Sequence, residues 1–505
     1  MAVSPPRLRF APSPTGFFHV GSGRTALWNW LIARQQGGQF VLRIEDTDLE
    51  RNLEEWVDGI RVAMRWLGLD WDEEYRQSQR APLYGDAMLR LHADSHAYYC
   101  DCTRADVDAR NVAAFGPGAE NRGYDRHCRA RGLKPGLGRP LRFATPREGT
   151  TIVHDVIRGE PSFDHGEIED FVIARGDGSA MFILANVVDD IAMGITHVVR
   201  GEEHLSNTPK GILLWQALAP DLTLPVWAHV PVLVNAQRKK LSKRRDKVAL
   251  EDYRAMGILP DAMRNYLVLL GWSPGGDREI LTVDEMTELF RLEAVVTSPA
   301  FFDMVKLAHM NGEYLRALSI EEFVEVATPF LPAGASAQVD VFPKIAPFVQ
   351  ERLRLLTDLP NQVDFLYNDP YSWEDAIASC KAPVEMLDGV LAALAALPGA
   401  TGIEVFAQAG TATGIGTAHN PTVIGPGLNI AAESSTAGWS AAEIRVAVET
   451  VGAANGLKLA KAQGAVRVAI TGRTVGPPLF EAMEVLGRAE CERRLRLARA
   501  RLGTS

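Results

Sequence analysis

At 505 residues the chain is long enough for two or more domains, each with a core of its own. Its 47% hydrophobic and 23% charged residues are those of an ordinary globular protein, with no apolar run of membrane-spanning length, and the Met-Ala-Val-Ser-Pro-Pro start lacks the charged-then-apolar plan of a secretory signal. Five cysteines, an odd and sparse set, fit a reducing cytoplasm better than a disulfide framework, and a net charge of −10 leaves nucleic-acid binding open because a local basic surface can supply phosphate contacts on an acidic body.

The first element is a short strand, Arg7-Leu8-Arg9-Phe10-Ala11, ended by a constrained turn that holds Pro12, Pro14 and Gly16. A helix is expected from about Ser22 to Gln36, with Ala26, Leu27, Trp30 and Leu31 at helical spacing and Gly37-Gly38 as a stop. Strand, tight turn and helix together are how a nucleotide-binding α/β sheet offers a helix N-terminus to phosphates. Gly21 removes a side chain where a purine or phosphate approaches the backbone, and His19 can donate to a phosphate gaining charge. A core histidine beside a structural glycine is the plainer reading of the same pair.

Further along, Cys100-Asp101-Cys102 is followed by Tyr124-Asp125-Arg126-His127-Cys128. Three thiols beside a Tyr and a His have the look of a closed, tetrahedral structural zinc site; the alternative is three reduced cysteines without metal. The run from Arg238 to Lys247 holds seven basic residues and one acid, Asp246. It is either a solvated face or a loop whose lysines counter the charge of a leaving pyrophosphate, with Ser242 and backbone N–H groups as added donors. Past about residue 320 the chain turns helical, and Ile345, Phe348, Val349, Leu353 and Leu356 share a face over 343–359. Residues 399–437, rich in Gly, Ala and Thr, show no helical face and are expected to form an extended insertion or linker.

Two segments resemble the paired ATP-binding signatures of class I aminoacyl-tRNA synthetases: Pro12 to Ser22, containing His19-Val20-Gly21, and Lys240-Leu241-Ser242-Lys243-Arg244. The resemblance narrows to bacterial glutamyl-tRNA synthetases through Arg9 to Gly16, Arg43-Ile44-Glu45-Asp46-Thr47-Asp48 and Gly194 to His204. It continues through Asn265-Tyr266-Leu267, Leu270 to Pro274, Ser298 to Asp303, Leu457-Lys458-Leu459 and Ala469 to Thr474, and so covers nearly the whole chain.

That resemblance implies a Rossmann-type, doubly wound parallel-sheet catalytic domain over 1–320. An α/β acceptor-binding insertion is expected at about 75–195 and a stem-contact region at about 205–320. An all-α anticodon-binding region follows over 321–505. The implied reaction joins L-glutamate to tRNA(Glu) through glutamyl-adenylate, with ATP and Mg²⁺, in a cytoplasmic monomer. By motif, Ser13, Thr15, Gly16, His19, Gly21, Lys240, Leu241, Ser242, Lys243 and Arg244 serve ATP, with His19, Gly21, Lys240 and Lys243 as the catalytic set. Glutamate falls to Arg9, Ala11, Ser13, Glu45, Phe182, Asn186 and Arg200. A guanidinium fork suits a carboxylate and Glu45 suits an α-ammonium group.

Phe182 departs from the family, which usually has Tyr there; losing a bonded hydroxyl costs something like ~1 kcal/mol. Zinc, where relatives carry it, would fall to Cys100, Cys102 and Cys128. Ala130 stands where some relatives have a ligating His, so the fourth ligand is Tyr124 or His127. An oxidoreductase reading of Gly21 to Ala26, with Glu45 or Asp46 as its acid, leaves Lys240 to Arg244 unexplained.

Overall fold

The structure, a computed structural model, describes residues 5–47, 52–241, 247–333, 335, 339–369, 374–398 and 438–502. Asp48, Ser242, Lys243, Arg244 and the 399–437 stretch lie outside them. The chain divides into two compact units, Met1–Met310 and Asn311–Ser505.

In the first unit five parallel strands lie in the order Val226–Val230, His197–Gly201, Arg7–Phe10, Gln39–Ile44, Glu73–Arg76. Leu8 is in register with Phe40 on one side and with His197 on the other, and Arg200 is in register with His229. The chain winds outward from the first strand through the second and third, then returns to the opposite side of the first. This reversal puts a crevice at the carboxyl ends of Arg7–Phe10 and His197–Gly201, where doubly wound sheets bind ligands. Phe40, Val41, Leu42 and Ile44 are all buried, as a strand covered on both faces requires.

The helix after the first strand runs Val20–Gln35, two residues earlier than its apolar spacing suggests. His19 is its N-cap: Nδ1 accepts from the Ser22 amide at 3.1 Å. Nearly every side of this helix is covered, with Leu27, Trp28 and Leu31 at most 1% exposed, so apolar periodicity alone marks its end poorly. It ends where Gly37 takes φ +61°, with Gly38 N–H donating to the Ala33 carbonyl at 2.8 Å, the Schellman arrangement.

Between the third and fourth sheet strands the chain builds an α/β substructure. Ala97–Tyr99, Leu141–Phe143 and Val172–Ala174 form a three-stranded antiparallel sheet, and Thr150–Ile152 pairs with Ser162–Asp164. Tyr84, Leu91, Phe143, Phe171, Leu184 and Leu214 join in one apolar cluster that ties this sheet to the helices Phe182–Ala192 and Thr208–Leu218.

The described residues of the second unit contain helices and no strand. Pro383–Ala395, Ala441–Ala454, Leu459–Thr471 and Arg488–Leu502 bury Leu387, Val390, Ile444, Val448, Val466 and Leu495. The single helix expected over 343–359 is two: Phe342–Gln350, a turn, then a short 3-10 segment and Leu359–Val363, with Pro360 in its first turn. Leu353 and Leu356 are buried through the turn, which is why their spacing imitates a continuous face. Among the described residues no helix is long and apolar enough to cross a membrane.

Candidate active site

The crevice at the sheet reversal is a cleft of about 460 Å³. It gathers Arg9, Ala11, Ser13, Thr15, Gly16, His19, Gly21, Glu45, Phe182, Asn186, Arg200, Lys240 and Leu241, which is every proposed glutamate and ATP residue within the described chain. Ser242, Lys243 and Arg244 are the remainder and lie outside the described residues.

Around the residues expected to serve ATP, the flanks of the two signatures meet through the backbone. Val20 N–H donates to the Val248 carbonyl and Leu250 N–H to that of Phe18, both close to 3 Å (2.9 and 3.0 Å). The basic run is thereby anchored at its far end to the strand flank of His19. At its near end Leu241 N–H donates to the Leu233 carbonyl at 3.0 Å, and Lys240 Nζ stands 3.9 Å from Glu203. Because His19 Nδ1 accepts from an amide, the neutral ring carries its proton on Nε2, which lies 3.0 Å from Ser22 Oγ. A Cβ at Gly21 would stand 3.1 Å from that Nδ1, so the glycine makes room for the capping ring. Gly16 has φ +151°, a conformation L side chains rarely adopt.

Around the residues expected to hold glutamate, the cleft floor is ionic. Arg9 clamps Asp190 with Nε and Nη2, at 3.1 and 3.5 Å. Arg43, 0% exposed, donates to Asp190 at 2.6 Å, to Asn186 Oδ1 at 2.5 Å and to Glu45 at 3.3 Å. Asn186 Nδ2 in turn donates to Glu45 at 2.8 Å, which fixes the orientation of its amide. Burial pushes the Glu45 carboxyl upward, against the pull of Arg43 and Arg9. Burial presses Asp190 the same way, but there Arg43 and Arg9 prevail and hold it below the usual carboxylate range. Arg200 is lowered to about 10 by burial and then by Arg9, so the two guanidinium groups sense each other across the cleft. Arg200 uses Nε and Nη2, Arg9 uses Nε and Nη2, and Nη1 of each makes no hydrogen bond among the described residues.

Phe182 stacks on His204, ring centroids 5.7 Å apart at 26°. Burial, then Arg200, lowers His204 to about 4, so its ring is neutral near pH 7. Sequence reasoning missed Asp190, and Arg43 entered only as part of a motif. The available signal was charge in apolar elements: Asp189-Asp190 in the helix Phe182–Ala192 and Arg43 in the strand Gln39–Ile44. Asp46 is committed elsewhere, accepting from Ser78 N–H and Oγ at 2.8 Å each and from Arg76 at 3.0 Å. It is therefore not available as the acid of a dinucleotide site.

Away from the cleft, one sulfur each of Cys100, Cys102 and Cys128 come within 4.8 Å of one another. Cys100 Sγ is 3.4 Å from the Tyr124 hydroxyl, which also accepts from the Cys128 amide at 2.9 Å. Arg110 and Arg131 donate to Cys102 and Cys128, at 3.2 and 3.3 Å. His127 is exposed and stands outside this cluster, which leaves Tyr124 as the nearby fourth donor.

Comparisons with known proteins place the chain in a family. The model of class I tRNA synthetases (E and Q), catalytic domain, matches residues 6–309, and an anticodon binding domain matches 322–410 and 428–499. The glutamate–tRNA ligase of Salinispora arenicola is 50% identical over 98% of this chain and 99% of its own. That of Thermobifida fusca is 51% identical over 98% of both. The crystal structure of a glutamate tRNA ligase from Elizabethkingia meningosepticum with its amino acid superposes with a TM-score of 0.81 at 27% identity, over 98% of this chain and 99% of that one. The chain belongs to the class I tRNA synthetases of the E and Q branch.

Proposed function

We propose that this chain is a glutamate–tRNA ligase, which activates L-glutamate with ATP and transfers it to the 3′ end of tRNA(Glu). The observation that carries the reading is the cleft itself: buried Arg9 and half-buried Arg200, each with an Nη1 that makes no hydrogen bond among the described residues, line it with a buried Glu45 held by Arg43 and Asn186. A small dicarboxylate with an α-ammonium group is the complement of that set. Kinship to glutamate–tRNA ligases over the whole chain points the same way.

In the first step an oxygen of the α-carboxylate attacks the α-phosphorus of ATP, and the bond to pyrophosphate breaks. Arg9 and Arg200 offer bidentate or single donors to substrate carboxylates, and Glu45 with Asn186 receives the ammonium. His19 Nε2–H and Lys240 meet phosphate charge as it moves toward the leaving group, joined by Lys243, Ser242 and Arg244 of the signature. Mg²⁺ carried by ATP would screen charge on the phosphates. In the second step a terminal ribose hydroxyl of the tRNA takes the acyl group and AMP departs. The insertion meets the acceptor end of the tRNA, the helical unit reads the anticodon, and the protein works as a monomer in the cytoplasm.

Cys100, Cys102, Cys128 and Tyr124 fit a structural Zn²⁺: three clustered sulfurs with cationic neighbours and one phenolic oxygen beside them. Bound there, the ion would cross-link the segment 100–128 and take no part in catalysis. Metal analysis of the purified protein tests this, with about one zinc per chain expected; a metal-free protein of full activity contradicts it.

Charging of purified tRNA(Glu) and tRNA(Gln), assayed separately with labelled glutamate, tests the main reading. Charging of tRNA(Glu) is expected. Charging of both identifies the non-discriminating type, whose product needs a downstream amidotransferase, and charging of neither refutes the proposal.

A further inference from the structure

Beneath Arg200 runs a buried chain of polar groups that none of the motifs above includes. Arg200 and His229 sit side by side on neighbouring parallel strands, and Trp227, two residues before His229, stacks on its ring while lying 5.4 Å from the Arg200 guanidinium. His229 and Thr208 are 0% exposed and Asp155 is 5% exposed. Asp155 arrives from the insertion, its segment joined to the sheet by Val156 N–H donating to the Trp227 carbonyl at 2.9 Å.

The hydrogen bonds along this chain have a fixed direction. Asp155 Oδ1 accepts from the amides of Ile157, Arg158 and His229, at 3.0, 2.7 and 3.3 Å. Its other oxygen, Oδ2, lies 2.5 Å from His229 Nδ1. A carboxylate so supplied with donors stays ionised and accepts Nδ1–H. The proton is therefore on Nδ1, and Nε2 keeps its lone pair. Arg200 Nε donates toward that lone pair at 3.3 Å, and the Thr208 hydroxyl has both Nε2, at 2.9 Å, and the His204 carbonyl, at 3.3 Å, within reach as acceptors. Arg200 Nη2 donates to Thr208 Oγ1 at 2.9 Å and to the His204 carbonyl at 3.4 Å. Only Nη1 is left over among the described residues, and Arg200 lines the cleft.

We infer that Asp155 and His229 are positioning residues for glutamate: the Asp155–His229 pair holds a hydrogen-bond acceptor beneath Arg200 Nε and so orients the guanidinium with Nη1 toward the substrate. The inference rests on Arg200 contacting glutamate. A guanidinium that is pre-oriented loses little freedom on binding a carboxylate, whereas a loose one loses its orienting bond each time. The same logic makes outer-shell partners of a ligating side chain costly to remove.

The test is steady-state charging of tRNA(Glu) by full-length variants, with glutamate and ATP varied separately. His229→Asn keeps a donor for Asp155 at the Nδ1 position and removes the acceptor beneath Arg200. It is expected to raise the glutamate KM about ten- to a hundred-fold while the ATP KM shifts less than about three-fold. His229→Gln, whose amide oxygen reaches the Nε2 position, is expected to recover most of that loss. Thr208→Val, which removes the other link, raises the glutamate KM in the same direction. Nitrogen-15 NMR of histidine-labelled protein is expected to show His229 with Nδ1 protonated and Nε2 bare. A parallel fall of kcat and both KM effects in step with a lower Tm, the opposite tautomer, or no rescue by Gln overturns the inference. Arg200→Ala separates the two levels: an unchanged glutamate KM there removes the underlying assignment, while a raised one beside an unaffected His229→Asn removes the positioning role alone.

Discussion

At the scale of single residues, what matters is which atoms are already committed. His19 caps its helix with Nδ1, while Nε2, which lies 3.0 Å from Ser22 Oγ, is the atom proposed to meet a phosphate, so capping and the proposed catalysis use different atoms of one ring. His19→Asn separates them: the amide oxygen still caps, so Tm is expected to hold, while adenylate formation falls about ten- to a thousand-fold in pyrophosphate exchange. Full exchange activity in that variant would remove His19 from the chemistry. Phe182, stacked on His204, offers no hydroxyl to the cleft, and Phe182→Tyr is expected to lower the glutamate KM about five-fold, equivalent to one hydrogen bond of ~1 kcal/mol. An unchanged or higher KM would show that the cleft has no partner for that oxygen. His204 itself titrates far below an exposed histidine, at about 4, through burial and then Arg200, opposed by Glu203. Its folded pKa is depressed, so between about 6.5 and about 4 the unfolded chain binds the extra proton and stability drops as pH falls. His204→Phe is expected to flatten the Tm-against-pH curve over that window relative to the parent; identical slopes would contradict the shift. At this scale the sequence was legible for the groups proposed to meet the substrate, because Arg9, Glu45, Asn186 and Arg200 fall where the family resemblance puts glutamate, and the structure gathers them in one cleft. Their supports Asp190, Asp155 and His229 were not, since each gains meaning only from a partner far along the chain.

At the scale of elements, local chemistry decides boundaries more than periodicity does. The helix Val20–Gln35 begins at a cap rather than at its first apolar residue, and ends at Gly37 because the Schellman turn needs a positive φ. Gly37→Ala is expected to cost about 1 kcal/mol, measurable as a lower denaturant midpoint with an unchanged slope. An unaltered midpoint would mean the turn relaxes freely. The strand Arg7–Phe10 and the stop at Gly37-Gly38 could be read from Pro and Gly alone. The break after Gln350 could not, because Leu353 and Leu356 stay buried through the turn and mimic one helical face. The cysteine segment was legible as a cluster from its spacing, yet only the three-dimensional arrangement separates Tyr124 from the exposed His127.

At the scale of the whole molecule, the strand order of the first unit places the site. A five-stranded parallel sheet that reverses direction beside its first strand opens one crevice, and the segments carrying His19, Glu45, Arg200 and Lys240 all end there. Residues more than two hundred positions apart meet because Val248 and Leu250 pair with the backbone around His19. The proposed role of the Arg9 and Arg200 guanidinium groups in holding glutamate predicts that an uncharged side-chain amide binds poorly. The most direct measurement is ATP-dependent charging of tRNA(Glu) with labelled glutamate, run beside labelled glutamine and beside a reaction without ATP. The account predicts that glutamate alone is attached and only when ATP is present. Failure to charge with glutamate, or equal charging with glutamine, would contradict it.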